Sequence, residues 1–218
     1  MQGARVAGLL LTGGASSRMG TTKAALRLPG ESETFAERSG RLLADAVAPG
    51  PALEVGPGCS GLRSCDEHGF ADPGTGPLTA VVTGWRALAA HGHSGPVLVL
   101  ATDLPLVSSE ALAFVVSFPG RGSVVPVVGG RRQPLAARWS AVDLARAAEL
   151  AARGERSLRR VFGPDASFLD EAVWGGVVPA SVFVDVDTPD DFEALATGPG
   201  SALTGRRSAP RSRGGPGA

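Results

Sequence analysis

A glycine-rich loop followed by two cations is the first feature of the sequence that could do chemistry. An apolar run leads into the pair Gly13-Gly14, and Arg18 and Lys23 follow within ten residues. Glycines let backbone N–H groups approach phosphate oxygens closely, and the two cations place positive charge where an anion would lie. The spacing is neither that of a Walker loop nor that of a dinucleotide-binding turn. The loop therefore predicts a polyphosphate site, with a plain strand-to-helix turn as the alternative.

Lys23 is the only lysine in a chain that contains twenty arginines. An exposed lysine can usually become arginine with little loss of stability, because either cation stays solvated. A single remaining lysine indicates that position 23 needs a compact ammonium rather than a planar guanidinium. Chance survival of one lysine is the alternative interpretation.

Two aspartates, Asp103 and Asp187, each follow an apolar run closely. If both runs are strands of an open parallel sheet, the carboxylates lie at its carboxyl edge, where ligands bind in such sheets. The glycine loop follows the first apolar run and would lie at the same edge. Mg²⁺ prefers one or two carboxylates together with phosphate oxygens and water. We therefore expect Asp103 and Asp187 to bind Mg²⁺, with helix capping as the alternative for each.

The elements that must position these residues are short apolar runs that alternate with segments of helical period. This alternation predicts an α/β fold, a single Rossmann-like three-layer domain whose mostly parallel sheet is covered by helices on both faces. The runs expected to form strands are Val6 to Leu11, Leu53 to Val55, Val97 to Ala101, Val124 to Val128 and Val182 to Val186. Helix starts are expected at Ser32 or Thr34, at Pro77, at Ser108, at Ser140 with Asp143 in capping-box spacing, and at Thr188.

Composition excludes several classes of protein. The chain has 218 residues, 43% of them hydrophobic, and 21 basic residues balance 21 acidic ones. Disorder throughout, a nucleic-acid coat and a membrane span are therefore not expected, and neither nucleic acid nor membrane is an expected partner. We expect a cytoplasmic protein whose two cysteines, Cys59 and Cys65, are ordinary thiols. Residues 1–197 would form the folded domain, and residues 198–218, rich in Gly, Pro and Arg, a disordered tail.

Three histidines and three tryptophans match no catalytic pattern. The histidines are expected at the surface or at helix ends, and they are His68, His91 and His93. The tryptophans fall on apolar patterns and are expected in the core, and they are Trp85, Trp139 and Trp174.

The pattern Leu-x-Gly-Gly-x-Ser-x-Arg-Met-Gly-x-x-Lys over residues 11–23 resembles the signature loop of the nucleotidyltransferases related to molybdenum cofactor guanylyltransferase. Further stretches resemble the same family in the same order. They are Asp72 with Gly76-Pro77-Leu78, residues 101–106, residues 133–136, residues 183–189 and, more weakly, residues 154–159. The resemblance spans residues 5–195 and so covers the whole predicted domain.

The resemblance implies an Mg²⁺-dependent enzyme that transfers GMP from GTP to the phosphate of molybdopterin and releases pyrophosphate. A molybdoenzyme or a chaperone is the candidate recipient of the product. The implied nucleotide-binding residues are Leu11, Thr12, Gly13, Gly14, Lys23, Asp72 and Asp103. The implied catalytic residues are Arg18, Lys23 and Asp103, and the implied metal ligands are Asp103 and Asp187.

The sequence departs from the family pattern at positions that bear on specificity. Gly56 stands at the exit of the second strand, where a side chain of the family can reach the base, and Asp185 and Asp187 stand where the family usually has asparagines. Thr22 replaces a frequent aspartate, and Thr79 follows Gly-Pro-Leu in place of alanine. A sister transferase that uses CTP or another phosphorylated acceptor therefore stays open, as does a nucleotide-binding module without catalysis.

Overall fold

An eight-stranded mixed sheet forms the centre of the structure, a computed structural model that describes residues 5–13, 23–186 and 190–193. The strands are β1 (Ala7–Leu11), β2 (Ala52–Val55), β3 (Arg63–Ser64), β4 (Val97–Ala101), β5 (Val124–Val128), β6 (Arg131–Arg132), β7 (Ala136–Trp139) and β8 (Ser167–Leu169). Their order is β3-β2-β1-β4-β7-β5-β6, and β8 pairs with β5.

The half of the sheet around β1 is parallel. Leu11 pairs with Val55 of β2 and with Ala101 of β4, so the carboxyl ends of these three strands share one edge. Strand β7 runs antiparallel between β4 and β5, with Ala136 opposite Leu100, and its amino end therefore lies at that same edge. The predicted mostly parallel sheet is confirmed.

Helices cover the sheet on both faces. They are α1 (Phe35–Val47), α2 (Pro77–Ala90), α3 (Ser109–Ser117), α4 (Ala141–Ala152) and α5 (Glu171–Trp174), and residues 190–193 are also helical. Helices α1 and α3 pack together over one apolar cluster, and α2 and α4 pack together over the other. The predicted three-layer α/β domain is confirmed, with Trp139 and Trp174 fully buried in its two cores and Trp85 packed at the side of one.

Capping residues start the helices where the sequence predicts. Thr34 forms a complete capping box with Glu37, and Pro77 is the first residue of α2. Ser108 and Ser140 accept hydrogen bonds from the first turns of α3 and α4. These four starts are confirmed.

Asp143 does not complete a capping box with Ser140. Its carboxylate accepts hydrogen bonds from Ser123 Oγ at 2.6 Å and from the Gly163 amide at 2.9 Å. In a capping box the Asp143 carboxylate would accept from the Ser140 amide. Here Ser123 Oγ accepts from that amide instead, at 2.8 Å. The carboxylate thereby fastens the start of α4 to two neighbouring loops.

The strand predicted over Val182 to Val186 is wrong. A 3-10 helix spans Ala180–Phe183, and residues 184–186 are irregular. Val182, Phe183 and Val186 are buried. A short apolar run indicates that a segment is buried, but it does not distinguish a strand from a buried turn. The sheet positions beside β5 are taken by β7 and β8, whose short sequences carry weaker patterns.

No helix among the described residues is long and apolar enough to cross a membrane.

Two further expectations concern the histidines and the C-terminal tail. His91 lies at the C-terminal cap of α2 and His68 at the end of the 3-10 helix Cys65–His68, as expected for helix-end histidines. The predicted tail, residues 198–218, lies outside the described residues and stays a prediction.

Candidate active site

The glycine loop begins in the centre of the carboxyl edge. The Thr12 and Gly13 amides donate to the Val55 carbonyl of β2 at 3.1 and 3.4 Å. On the other side, the Thr102 amide after β4 donates to the Leu11 carbonyl at 3.3 Å. The backbone of the first loop residues is therefore fixed between the ends of two neighbouring strands.

Asp72 lies directly against this loop. A side-chain carbon at Gly13 would come 2.6 Å from Asp72 Oδ2, so a larger residue at position 13 would displace the Asp72 carboxylate. The other carboxylate oxygen of Asp72 accepts from the Gly74 amide at 3.0 Å, which orients the half-buried side chain. The structure thus brings together two residues that lie far apart in the sequence and that were both predicted to bind nucleotide.

Asp103 lies at the same edge, two residues beyond the end of β4, and is half-buried. The Val186 amide donates to the Asp103 carbonyl at 2.8 Å. This contact brings the residue that precedes Asp187 to Asp103, although no strand carries it there. Asp187 itself lies outside the described residues, as do Gly14 and Arg18.

Residues 133–135 reach this edge because β7 is antiparallel. The Ala101 amide at the end of β4 donates to the Leu135 carbonyl at 2.9 Å, and the Gln133 amide donates to the Pro126 carbonyl at 2.8 Å. The stretch from Gln133 to Ala136 therefore lies beside the Asp103 end of the crevice.

Lys23 opens the 3-10 helix Lys23–Ala25 and is half-buried. The Leu26 amide donates to the Lys23 carbonyl at 3.0 Å, and the Phe35 amide donates to the Leu26 carbonyl at 2.7 Å. The far end of the glycine loop is therefore anchored on the first residue of α1. Its proposed contact with phosphate stays a prediction.

Glu54 is a residue of this region that the sequence analysis missed. It lies in the middle of β2 with no exposed surface. Its Oε1 accepts from Thr12 Oγ1 at 2.5 Å, from the Gly58 amide at 2.8 Å and from the Cys59 amide at 3.0 Å. Its Oε2 accepts from the Ser60 amide at 2.8 Å and from Ser60 Oγ at 2.5 Å. A buried carboxylate thus joins the start of the glycine loop to the loop after β2.

These hydrogen bonds keep Glu54 ionised. Burial raises the pKa of the Glu54 carboxyl. The hydrogen bonds from Ser60, Thr12 and Cys59 lower this pKa by more than burial raises it, so the net pKa lies below the ordinary glutamate value. An acidic residue inside a run predicted to be a buried strand was the feature of the sequence that could have revealed Glu54, because a buried charge requires partners.

Neither cysteine is an activated nucleophile. Burial raises the pKa of the Cys65 thiol to about 12. Partial burial and the neighbouring charge of Glu54 raise the pKa of the Cys59 thiol as well. Both are free thiols, and the thiolate form that would react is disfavoured in each.

The carboxylates fit a metal ion that is shared with a polyphosphate. Among the described residues, no group of three or more His, Cys, Asp or Glu side chains could hold a metal ion by itself. A divalent ion that takes most of its ligands from phosphate oxygens and water needs only one or two carboxylates. Asp103 offers such a carboxylate at the edge where the glycine loop begins.

The fold defines an α/β protein with a candidate ligand site at the carboxyl edge of a largely parallel sheet, where a glycine loop begins. Residues 8–168 match the sequence profile of the MobA-like NTP transferase domain. The chain belongs to this family, and it is a nucleotidyltransferase. Enzymes of this kind typically use a divalent metal ion.

Relatives and solved structures agree with this assignment. The chain is 36% identical over 158 residues to a probable molybdenum cofactor guanylyltransferase of Opitutus terrae, covering 71% of this chain and 76% of the relative. It is 34% identical over 195 residues to the molybdenum cofactor guanylyltransferase of Cereibacter sphaeroides, covering 86% and 94%. The fold is similar to molybdopterin-guanine dinucleotide biosynthesis protein A of Archaeoglobus fulgidus, with a TM-score of 0.63, 16% identity and coverage of 88% and 97%.

Proposed function

We propose that this protein transfers GMP from GTP to the phosphate of molybdopterin and releases pyrophosphate; its relatives are named molybdenum cofactor guanylyltransferases. The observation that carries the proposal is the meeting of Gly13, Asp72 and Asp103 at one edge of the sheet. These residues belong to three separate segments that resemble the family motifs. Gly13 contacts Asp72, and Asp103 follows β4, the strand next to β1. The proposed compartment is the cytoplasm, and the proposed recipient of the product is a molybdoenzyme or a chaperone.

The described residues bind and orient the nucleotide. The backbone groups of Leu11, Thr12 and Gly13 lie at the edge where the loop begins, and glycine lets them approach phosphate oxygens closely. Asp72 lies against Gly13 and would hold the nucleoside from the side. Gly14 continues the same loop.

The reaction needs little covalent chemistry from the protein. A phosphate oxygen of the acceptor attacks the α-phosphorus of the nucleoside triphosphate and forms the new P–O bond. The bond from the α-phosphorus to the oxygen it shares with the β-phosphorus breaks, and pyrophosphate leaves with that electron pair. Because the acceptor phosphate is already an anion, no protein base is required. Catalysis then consists of holding the reactants in line and neutralising charge.

The proposed metal ion is Mg²⁺, with Asp103 and Asp187 as its protein ligands. When bound, it would neutralise charge on the triphosphate and on the departing pyrophosphate. Lys23 and Arg18 would contact phosphate oxygens and add positive charge from the far end of the loop.

One observation keeps a second candidate function open, a sister transferase that uses CTP or another phosphorylated acceptor. Gly56 has no side chain, and a carbon added there would collide with Thr12 Oγ1 and lie 2.9 Å from the Gly13 amide. No side chain at position 56 can therefore select the base.

Pyrophosphate release with GTP, CTP, ATP and UTP, each with and without molybdopterin, tests the proposal. We expect release only with GTP and molybdopterin together. Release with CTP would establish the sister activity. Binding of a nucleotide without release in any combination would identify a module that has lost catalysis.

A further inference from the structure

The two carboxylate oxygens of Glu54 serve different loops. Oε1 accepts from Thr12 Oγ1 at 2.5 Å, at the point where β1 ends and the glycine loop begins. Oε2 accepts from the Ser60 amide at 2.8 Å and from Ser60 Oγ at 2.5 Å, in the loop after β2. Each oxygen therefore has one hydroxyl donor, and of these two hydroxyls only that of Thr12 belongs to a residue of the candidate active site.

Thr12 is held by its backbone as well as by its hydroxyl. It is buried, and its amide donates to the Val55 carbonyl at 3.1 Å. Gly56 lies so close that a side-chain carbon there would collide with Thr12 Oγ1 and would come 2.9 Å from the Gly13 amide. The Thr12 hydroxyl is therefore packed against both the Glu54 carboxylate and the backbone of Gly56.

Thr12 is followed directly by the residue that contacts Asp72. A side-chain carbon at Gly13 would come 2.6 Å from Asp72 Oδ2, so this contact is sensitive to small movements of the backbone at position 13. The Gly13 amide donates to the Val55 carbonyl at 3.4 Å, which is long for such a bond and constrains Gly13 weakly. The position of Gly13 therefore depends on how firmly Thr12 is held.

A hydroxyl that donates to a buried carboxylate is held more firmly than one that donates to a neutral group, because hydrogen bonds to a charged acceptor are shorter and stronger. We propose that Glu54 is a positioning residue for nucleotide binding. It holds the Thr12 hydroxyl, and through Thr12 it sets the place of Gly13 against Asp72. This inference rests on the proposed nucleotide site and deepens it, because it gives a fully buried residue a role in binding a ligand that it does not touch.

Thr12→Val removes the hydroxyl and keeps the shape of the side chain and every backbone group. The methyl group that replaces the hydroxyl cannot stay at 2.5 Å from Glu54 Oε1, because a carbon and an oxygen need roughly 3.3 Å. The side chain must therefore move away from Glu54, although the backbone of Gly56 is packed closely against the same position. The displacement then passes to the backbone of residues 12 and 13.

Ser60→Ala is the matched control, because it removes the other hydroxyl donor of the same carboxylate. Ser60 packs on Gly40 of α1. Both variants leave backbone amides on Glu54, and each deprives the buried carboxylate of one donor, so we expect them to lower the melting temperature by similar amounts. Only Thr12→Val should weaken the binding of a nucleotide.

Calorimetric titration with GTP and with CTP, in the presence of Mg²⁺ and without acceptor, measures the dissociation constants. For the nucleotide that the wild-type protein binds more tightly, Thr12→Val should raise the dissociation constant about tenfold. Thr12→Ser, which restores the hydroxyl, and Ser60→Ala should each lie within about twofold of the wild-type value. Glu54→Gln, whose neutral amide accepts more weakly, should raise the constant about threefold or more.

The double variant tests whether the two residues act as a pair. In the Thr12→Val background, Glu54→Gln should change the dissociation constant by less than about twofold, because its route to the site is already broken. Full additivity of the two effects would overturn the proposal. If Glu54→Gln does not fold, the comparison of Thr12→Val with Ser60→Ala decides alone.

Equal effects of Thr12→Val and Ser60→Ala on the dissociation constant would show that the hydrogen bonds of Glu54 are purely structural and would overturn the proposal. Wild-type affinity in Thr12→Val would overturn it as well. The titration reports the binding-competent fraction separately, as the stoichiometry, so inactive protein does not imitate a change in affinity.

The same titrations separate this inference from the proposed function. Tighter binding of CTP, or binding without transfer to molybdopterin, would contradict transfer from GTP and leave the comparison of the variants intact. Transfer from GTP with equal affinities in the wild-type protein and Thr12→Val would overturn this inference alone. Binding of neither nucleotide by the wild-type protein would overturn both.

Discussion

Two buried charges lie at opposite edges of the same sheet, and they are satisfied by different kinds of partner. Glu54 of β2 lies near the carboxyl edge and accepts from two loops that border the crevice. Arg138 of β7 lies opposite Leu98 in the amino half of β4. Each is almost completely removed from solvent, and each has its hydrogen bonds to groups of the protein.

Arg138 fastens one helix end to the sheet. Its Nη1 donates to the carbonyls of Val116 and Phe118 at 2.6 and 2.8 Å, and its Nη2 donates to the carbonyl of Gly120 at 3.0 Å. These acceptors belong to the end of α3 and the turn that follows it. Burial lowers the pKa of the guanidinium. None of these groups reaches the edge where the glycine loop begins.

The difference shows that a buried charge is informative through its partners rather than through its burial. Arg138 contacts the end of a helix whose own carbonyls lack partners within the helix, so its contribution is to stability. Glu54 contacts the two loops that border the crevice, so its contribution is to hold the amides of residues 58–60 and the Thr12 hydroxyl in place. Substitutions at the two edges should therefore affect different properties of the protein.

Asp103→Asn should have the largest effect on chemistry at the carboxyl edge. The two side chains are nearly equal in size, so packing is preserved, but a neutral amide is a poor ligand for a hard divalent ion. We expect kcat/KM for transfer to fall at least a hundredfold, roughly 2.7 kcal/mol, with little change in melting temperature. Asp45→Asn, at an exposed aspartate of α1, is the matched control.

Asp187→Asn tests whether Asp103 or Asp187 is the more important metal ligand. Full activity of Asp103→Asn together with an inactive Asp187→Asn would move the metal assignment to the second carboxylate. If neither substitution changes turnover, the carboxylates at this edge do not bind the metal.

Arg138→Met should lower the stability of the protein and leave its transfer activity unchanged. It leaves three carbonyl groups without their donors while filling a similar volume, and we expect a loss of about 2 kcal/mol in the free energy of unfolding. For a domain of this size the melting temperature would fall by roughly 4–8 °C. Arg86→Met on the exposed face of α2 is the control. A fall in kcat/KM for transfer that the control does not share would contradict the separation of the two edges.

Much of the fold could be predicted from the sequence because it depends on local patterns. The runs of β1, β4 and β5 are continuous and apolar, β2 is apolar except for Glu54, and Thr34 and Pro77 mark helix starts. The run from Val182 to Val186 was misinterpreted because burial alone produces the same pattern in an irregular segment. Local pattern therefore predicts which segments are buried better than it predicts their conformation.

The candidate site could be predicted only in part. Asp103 was predicted from its position after an apolar run, and Asp72 only from the family resemblance; the structure places both at one edge. The role of Glu54 depends on Thr12, 42 residues earlier, and on amides of a loop whose path the sequence does not specify. Such a cluster becomes visible only when the strands that carry its members are paired.

Lys23→Arg tests whether the carboxyl edge also depends on the shape of a cation. The charge is kept, but a guanidinium is wider and planar and does not replace a compact ammonium at a position that needs one. We expect kcat to fall tenfold or more, about 1.4 kcal/mol, while Arg63→Lys at an exposed position has no effect. Near-normal turnover would show that position 23 does not require lysine and that the single lysine of the chain was retained there by chance.

Acidification should produce the smallest effect and should distinguish Glu54 from every other acid. Because the pKa of Glu54 is lower in the folded protein than in the unfolded chain, its ionised form contributes stability that is fully present above the ordinary glutamate value of 4.5. This contribution is lost as the pH falls below 4.5 through the pKa of the folded state. Glu54→Gln has no such group to titrate.

Urea denaturation at several pH values between 7 and 3 measures this difference directly. The gap in unfolding free energy between the wild-type protein and Glu54→Gln should be constant above pH 4.5 and should shrink below it. The other acids whose pKa is also lowered, Glu33, Glu37, Glu110 and Glu155, are common to both proteins, so their contributions cancel. A gap that stays constant down to pH 3 would mean that Glu54 is not ionised in the folded protein. The hydrogen bonds that the amides of residues 58–60 donate to its carboxyl group would then need another explanation.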